Sequence, residues 1–216
     1  MVKYVLVFTV SVQFFGALLL STQFIPEFGF GKGAFYSLFH SISAFCNAGF
    51  DVLGKGNSLI SFNTNVVVIM VLSILIIIGG LGFTVWSELY TCKSIRRVSI
   101  HSKMVLLITT GLVVGGTLLM FLFEHNNPQT ISKMSFINKL TNSFFASVTP
   151  RTAGFNSIST SGMTTAGQFL TIILMFIGGS PGSTAGGIKT TTIGVLIVTV
   201  VSVKILKYLK EDLVKI

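Results

Sequence analysis

Two short segments have the residue types to coordinate an ion with backbone oxygens alone: Asn47, Ala48, Gly49 and Phe50, and then Thr152, Ala153, Gly154 and Phe155. Glycine in the third place permits the positive φ that lets successive carbonyls aim one way. A row of such carbonyls can replace the water shell of a cation. A single Ala-Gly-Phe is an ordinary turn. Its return about 105 residues later, in the same setting, makes the pair a candidate ion filter. On that reading the only metal is a cation held at the backbone carbonyls.

A third segment is made almost wholly of small residues. It runs through Gly178, Gly179, Ser180, Pro181, Gly182, Ser183, Thr184, Ala185, Gly186 and Gly187 to Lys189, within the stretch 178–192. Pro181 and the glycines break a helix there. Such a loop just below a filter can act as a gate; the alternatives are a hinge or a close helix-packing point. Lys189 would hold the loop or repel cations at the inner mouth. Arg151, beside the second triplet, is expected to brace that filter loop from behind by donating to carbonyls. Charge at membrane depth needs a cavity or a partner, and Glu88 and Asp51 are candidate partners.

Enzyme chemistry fails on inspection. Gly178 to Gly182 has the spacing of a hydrolase nucleophile elbow, whose oxyanion hole uses the N–H of the residue after serine. Here that residue is Pro181, which has none. Gly182 to Lys189 resembles a phosphate-binding loop, but Ile188 separates Gly187 from the lysine that should follow directly. No credible nucleophile–base pair remains, so the chain is expected not to be an enzyme. His40, His101 and His125 lack metal-ligand spacing. Cys46 and Cys92 fall on opposite sides of the membrane in the topology below and should stay unpaired thiols. No organic cofactor and no nucleic-acid partner are expected.

The elements that must position these segments are membrane helices. With 51% hydrophobic and only 10% charged residues, the 216-residue chain cannot clothe a water-soluble surface, which carries about 25% charged residues. Tyr4–Ile25, Asn65–Glu88, Met104–Phe123 and Gln168–Val203 are long enough to cross a core of about 30 Å, the last too long and interrupted. Ala34–Cys46 and Phe136–Val148 are too short to span and suit re-entrant helices. Non-helical backbone at that depth survives only where protein or a wet cavity surrounds it. Gly111 and Gly115 give a small-xxx-small spacing for close helix contact. Superposing the Ala-Gly-Phe triplets without a gap sets 41–50 on 146–155 and Phe39 on Phe144.

Charge orients the chain. Lys93, Arg96, Arg97, His101 and Lys103 crowd the connection between the second and third spans; Lys204, Lys207, Lys210 and Lys215 follow the fourth; Lys3 precedes the first. Outside them, Lys32, Lys55, Lys133 and Lys139 are the only cations clear of the membrane. By the positive-inside rule the termini and the basic connection are cytoplasmic. The fold class is therefore an all-α membrane protein of two tandem units, each a transmembrane helix, a re-entrant pore loop and a transmembrane helix, the last helix broken by the Gly-rich loop. Residues 1–92 form the first unit, 93–103 the basic connection, and 104–216 the second unit with its basic tail.

The runs Phe45–Asp51, Ser147–Asn156 and Gly178–Thr192 resemble the membrane subunit of bacterial Ktr-type potassium uptake systems, in the Trk/Ktr/HKT superfamily. The resemblance implies potassium uptake, with sodium as a possible second ion, at the cell membrane, through a pore of four such units. It also implies homodimeric membrane subunits and a cytosolic nucleotide-binding ring as regulator. The basic connection and tail would meet that ring or anionic lipid head groups. The family carries four units in one chain, whereas two are visible here, matching the second and third. The expectation is a fragment or truncated product, the alternative a second copy that completes the pore. A non-conducting scaffold is the runner-up to a conducting subunit.

Overall fold

A computed structural model describes residues 2–54, 58–92 and 97–213, without the side chains beyond 204. Lys55, Lys93, Arg96 and Lys215 lie outside the described residues, as do the side chains of Lys207 and Lys210. The described helices are α1 (Val2–Phe28), α2 (Phe30–Phe45), α3 (Val66–Leu81), α4 (Phe83–Thr91), α5 (Ile100–Glu124), α6 (Phe136–Val148), α7 (Thr165–Phe176) and α8 (Thr190–Leu213). Among the described residues β pairing is confined to an isolated bridge, Ile177 to Ile188.

By length and composition α1 and α5 can each cross a membrane, and α7 and the Thr190–Lys204 part of α8 are shorter apolar stretches of helix. The faces of α1 and α5 that other helices leave uncovered carry Leu6, Val10, Phe14, Leu107, Leu118 and Leu122. Lipid is the solvent that suits such a surface. The short helices α2 and α6 pack instead on α1, α3 and α5. Polar caps set where four helices begin: Asn65, Ser99, Ser135 and Thr164 accept from the backbone N–H three residues on. One core joins the halves of the chain, with Phe24, Phe62, Leu72, Phe145 and Phe155 buried together and Phe24 edge-on to Phe62 at 5.1 Å.

Two expectations change. The span predicted over Asn65–Glu88 is two helices, α3 and α4, bent by 90°. The break lies at Gly82, whose φ of 89° only glycine adopts readily. The fourth span is broken as its composition predicts, into α7 and α8. The second change concerns the small residues of α5. A Cβ on Gly111 or Gly115 would meet nothing within 4 Å, whereas on Gly116 it would collide with the Ser147 hydroxyl of α6. Gly116, not the predicted pair, is the contact point. Gly116→Ala is therefore expected to destabilise the protein by about 1–3 kcal/mol through overpacking. Gly111→Ala should leave stability unchanged or raise it by up to about 1 kcal/mol. Thermal melts of the solubilised protein check the contrast.

Candidate filter and Gly-rich segment

Each short helix ends in a loop that turns back within the protein. After α2, the N–H groups of Asn47 and Ala48 bond back to the carbonyls of Ala44 (3.1 Å) and Ser43 (2.9 Å). After α6, those of Ala153 and Gly154 bond to the Thr149 carbonyl at 3.0 and 3.2 Å. The first and third residues of both segments have positive φ: Asn47 at 51° and Gly49 at 70°, Thr152 at 80° and Gly154 at 88°. Positive φ at a β-branched threonine is strained, and strain of this kind collects at functional sites.

A hydroxyl clamps the far end of each loop. Ser43 Oγ donates to the Phe50 carbonyl at 2.8 Å, and Thr149 Oγ1 to that of Phe155 at 2.7 Å. Two residues earlier in each case a serine ties the short helix to the long one before it: Ser41 Oγ donates to Gln13 O at 2.6 Å and Ser147 Oγ to Val113 O at 3.1 Å. A glycine makes room for each serine, Gly16 for Ser41 and Gly116 for Ser147. Ser41 and Ser147 stand 106 apart, as do Ser43 and Thr149, against 105 for the glycine pair Gly49 and Gly154. The ungapped superposition, which sets Ser41 on Ala146, is thus one residue out through the short helices. That slip hides the hydroxyl pattern in the sequence.

The two loops meet. A Cβ on Gly49 would clash with the Ala153 carbonyl oxygen, and one on Gly154 would lie 3.7 Å from Gly49 Cα. Ala153 and Phe155 are buried, Ala48 and Gly154 exposed. The phenylalanines differ: Phe155 is 0% exposed, its ring 6.3 Å from that of His40 in α2, while Phe50 is 70% exposed. Beside α6 a cavity of about 270 Å³ is lined by Ala146, Thr149, Gly154, Met163 and Met175 among others.

The Gly-rich segment docks on the break between α3 and α4 and reaches both loops. Thr184 N–H donates to Gly79 O (3.2 Å), Ser180 N–H to Gly80 O (3.0 Å) and Phe83 N–H to Gly182 O (3.1 Å), and the Ser180 hydroxyl donates to Leu81 O. Asn47 Nδ2 donates to Thr184 Oγ1 at 2.9 Å, and Gly186 N–H to Thr152 Oγ1 at 3.2 Å. Within the segment Gly178 N–H bonds to Ile188 O and Gly179 N–H to Gly186 O, at 3.0 and 3.2 Å. Gly187 supplies positive φ, and Gly178 leaves room for the Gly186 carbonyl.

The two membrane-depth cations find carbonyls, not the carboxylates considered for them. Lys189 Nζ donates to Ala185 O at 2.8 Å, holding its own segment. Arg151 Nη2 donates to Gly178 O at 3.4 Å, so the carbonyl it reaches lies in the Gly-rich segment and not in its own loop. Glu88 is engaged by the N–H and hydroxyl of Ser99, at 3.1 and 2.8 Å. His40 is a core histidine, with Nδ1 at 2.7 Å from Tyr36 O. Cys46 and Cys92 are free, and no group of metal-ligating side chains occurs among the described residues.

Residues 1–212 match the family described as TrkH, cation transport protein. The chain belongs to this family. The TrkH-family chain is 51% identical over 195 residues to the potassium/sodium uptake protein NtpJ of Enterococcus hirae, covering 90% of itself and 43% of that protein. It is 39% identical over 202 residues to the Ktr system potassium uptake protein B of Bacillus subtilis, covering 94% and 45%. Its fold matches the crystal structure of the potassium transporter TrkH from Vibrio parahaemolyticus with a TM-score of 0.72 at 21% identity, over 96% of this chain and 41% of that one. The chain thus spans less than half the length of the relatives it matches. The resemblance read from the three motifs holds, and the chain is an all-helical membrane protein of a transporter family.

Proposed function

We propose that this chain carries two units of a potassium pore, 1–92 and 104–216 joined by the basic stretch 93–103, with 47–50 and 152–155 as filter strands and 178–189 as the gate. The observation that carries the reading is the repeated backbone: positive φ at the first and third residue of both loops, each fixed by a short helix before it and a hydroxyl clamp behind it. Alternating φ lets successive carbonyls share one side, and the C-terminal ends of α2 and α6 add negative potential there. Potassium, with sodium as a second ion, is the cargo that the relatives' names suggest.

Two strands do not encircle an ion, so the pore takes further units from a longer chain or from a second copy. The exposed Phe50 and the cavity beside α6 support this. Phe155 of the second unit packs on α2 of the first, while Phe50 and the flank of α6 lack their counterparts among the described residues. A homodimer of complete subunits in the cell membrane, with a cytosolic nucleotide-binding ring against the basic cytoplasmic stretches, completes the proposal.

Serine in place of Gly49 or Gly154 is expected to lower potassium affinity or selectivity about tenfold, since positive φ costs an L-residue about 1–2 kcal/mol. Uptake by a transport-deficient strain carrying the assembled protein measures it. Unchanged affinity and selectivity in both variants would remove the filter assignment and leave a membrane scaffold.

A further inference from the structure

Behind the two loops lies a cavity of about 10 Å³. Ile76 of α3, Val148 of α6 and Gly179 of the Gly-rich segment form part of its wall, and three polar residues face it: Asn47, Thr109 of α5 and Arg151. They are 8%, 6% and 7% exposed. In each, one polar atom is buried without a hydrogen bond to the protein: Asn47 Oδ1, Thr109 Oγ1 and Arg151 Nε. Buried polar atoms at membrane depth must find partners.

The orientation of Asn47 follows from its neighbours. The Thr184 hydroxyl donates to Phe45 O at 2.8 Å, so its oxygen is left to accept, and it accepts from Asn47 Nδ2 at 2.9 Å. The amide NH2 therefore faces Thr184, and Oδ1 remains as an acceptor for the cavity. Arg151 Nε can only donate, and the Thr109 hydroxyl can do either.

We propose that this cavity is the binding site of one water molecule, which donates to Asn47 Oδ1, accepts from Arg151 Nε and bonds Thr109 Oγ1. The size is that of a single water, and three polar partners are the usual number for a buried one. The guanidinium excludes a potassium or sodium ion. The Asn47 oxygen and the small volume exclude chloride. Asn47 is bonded to Thr184 and Arg151 to Gly178, so the water sits where both loops and the Gly-rich segment are tied together. The site does not depend on the conduction reading.

The test is a high-resolution cryo-electron microscopy map of the protein in lipid nanodiscs, in the assembly in which the cell holds it. One solvent peak is expected at about 3 Å from all three atoms. It should persist in Thr109→Ser and fall to background in Thr109→Val, which keeps the shape and removes the hydroxyl. A wild-type map with Arg151 Nε bonded directly to Asn47 Oδ1 and no peak overturns the proposal. So does a peak that survives unchanged in Thr109→Val.

Discussion

Gly79→Ala is expected to cut ion uptake about a hundredfold, the loss that a misplacement of about 1 Å can produce in a positioned site, while Gly80→Ala leaves it near wild type. The two glycines are neighbours in α3 with opposite surroundings. A Cβ on Gly79 would land on the Phe45 carbonyl oxygen, with Thr184 Oγ1 at 2.8 Å and Asn47 Nδ2 at 3.0 Å; on Gly80 it would meet nothing within 4 Å. The crowded atoms are the end of the short helix, the first residue of the loop after it and the Gly-rich segment, so relief must move at least one of them. Backbone cannot give way as a flexible side chain can. Uptake normalised to surface expression, measured for both variants in a transport-deficient strain, decides it. Equal activity would show that the segment does not need its close seat on α3.

That seat explains why two elements that each offend the bilayer occur together. A 90° bend at Gly82 frees the carbonyls of Gly79, Gly80 and Leu81 at membrane depth. A segment of small residues between α7 and α8 brings N–H groups and hydroxyls that have no helix to bond to. Thr184, Ser180 and Phe83 close this exchange, so the carbonyls of Gly79, Gly80 and Leu81 all find donors. Replacing Ser180 by alanine would remove the hydroxyl that donates to Leu81 O and reopen one side of it.

Much of this was legible from composition. Phe136–Val148 emerges with the predicted bounds because Ser135 caps it and its 13 residues cannot span. The break in the fourth span was equally plain, since its cause, Pro181 among glycines, is local. The bend in the second span was not, although Gly79, Gly80 and Gly82 stand in the sequence. Its sign depends on a partner a hundred residues away, and apolar residues on both sides imitate one continuous helix. The partner of Arg151 was legible in kind and not in place: a carbonyl was expected, but of its own loop, and it is Gly178 O of the Gly-rich segment that the fold brings within reach. The clamps Ser43 and Thr149 were hidden by a one-residue shift between short helix and loop, which an ungapped comparison of the halves cannot show.

Glu124→Gln is expected to destabilise the protein by about 2–4 kcal/mol, since hydrogen bonds to a charged group contribute about 1.5–3 kcal/mol each. The carboxylate, 1% exposed at the end of α5, is met only by donors. Oε1 accepts from the N–H and hydroxyl of Thr164, at 2.9 and 2.7 Å; Oε2 accepts from Asn127 Nδ2 and Thr130 Oγ1, at 2.8 and 2.7 Å. Glutamine converts one oxygen into a donor. Turned one way its NH2 faces the Thr164 N–H, which cannot rotate; turned the other it faces Asn127, whose own Oδ1 accepts from Gln129 N–H and whose NH2 also serves Gly162 O. In either orientation the remaining oxygen keeps two of the four bonds, a threonine hydroxyl can turn to accept and so recovers a third, and the fourth is replaced by two donors facing each other. The charge itself also favours the N-terminus of α7, where Thr164 is the cap. A melting point lower by about 10 °C follows for a chain of this size, and Glu124→Ala should fall at least as far. Because α7 leads directly into Gly178, loosening its outer end should also disturb the seat of the Gly-rich segment. A variant that melts with the wild type would show that the four donors have another acceptor and that α7 is held from elsewhere.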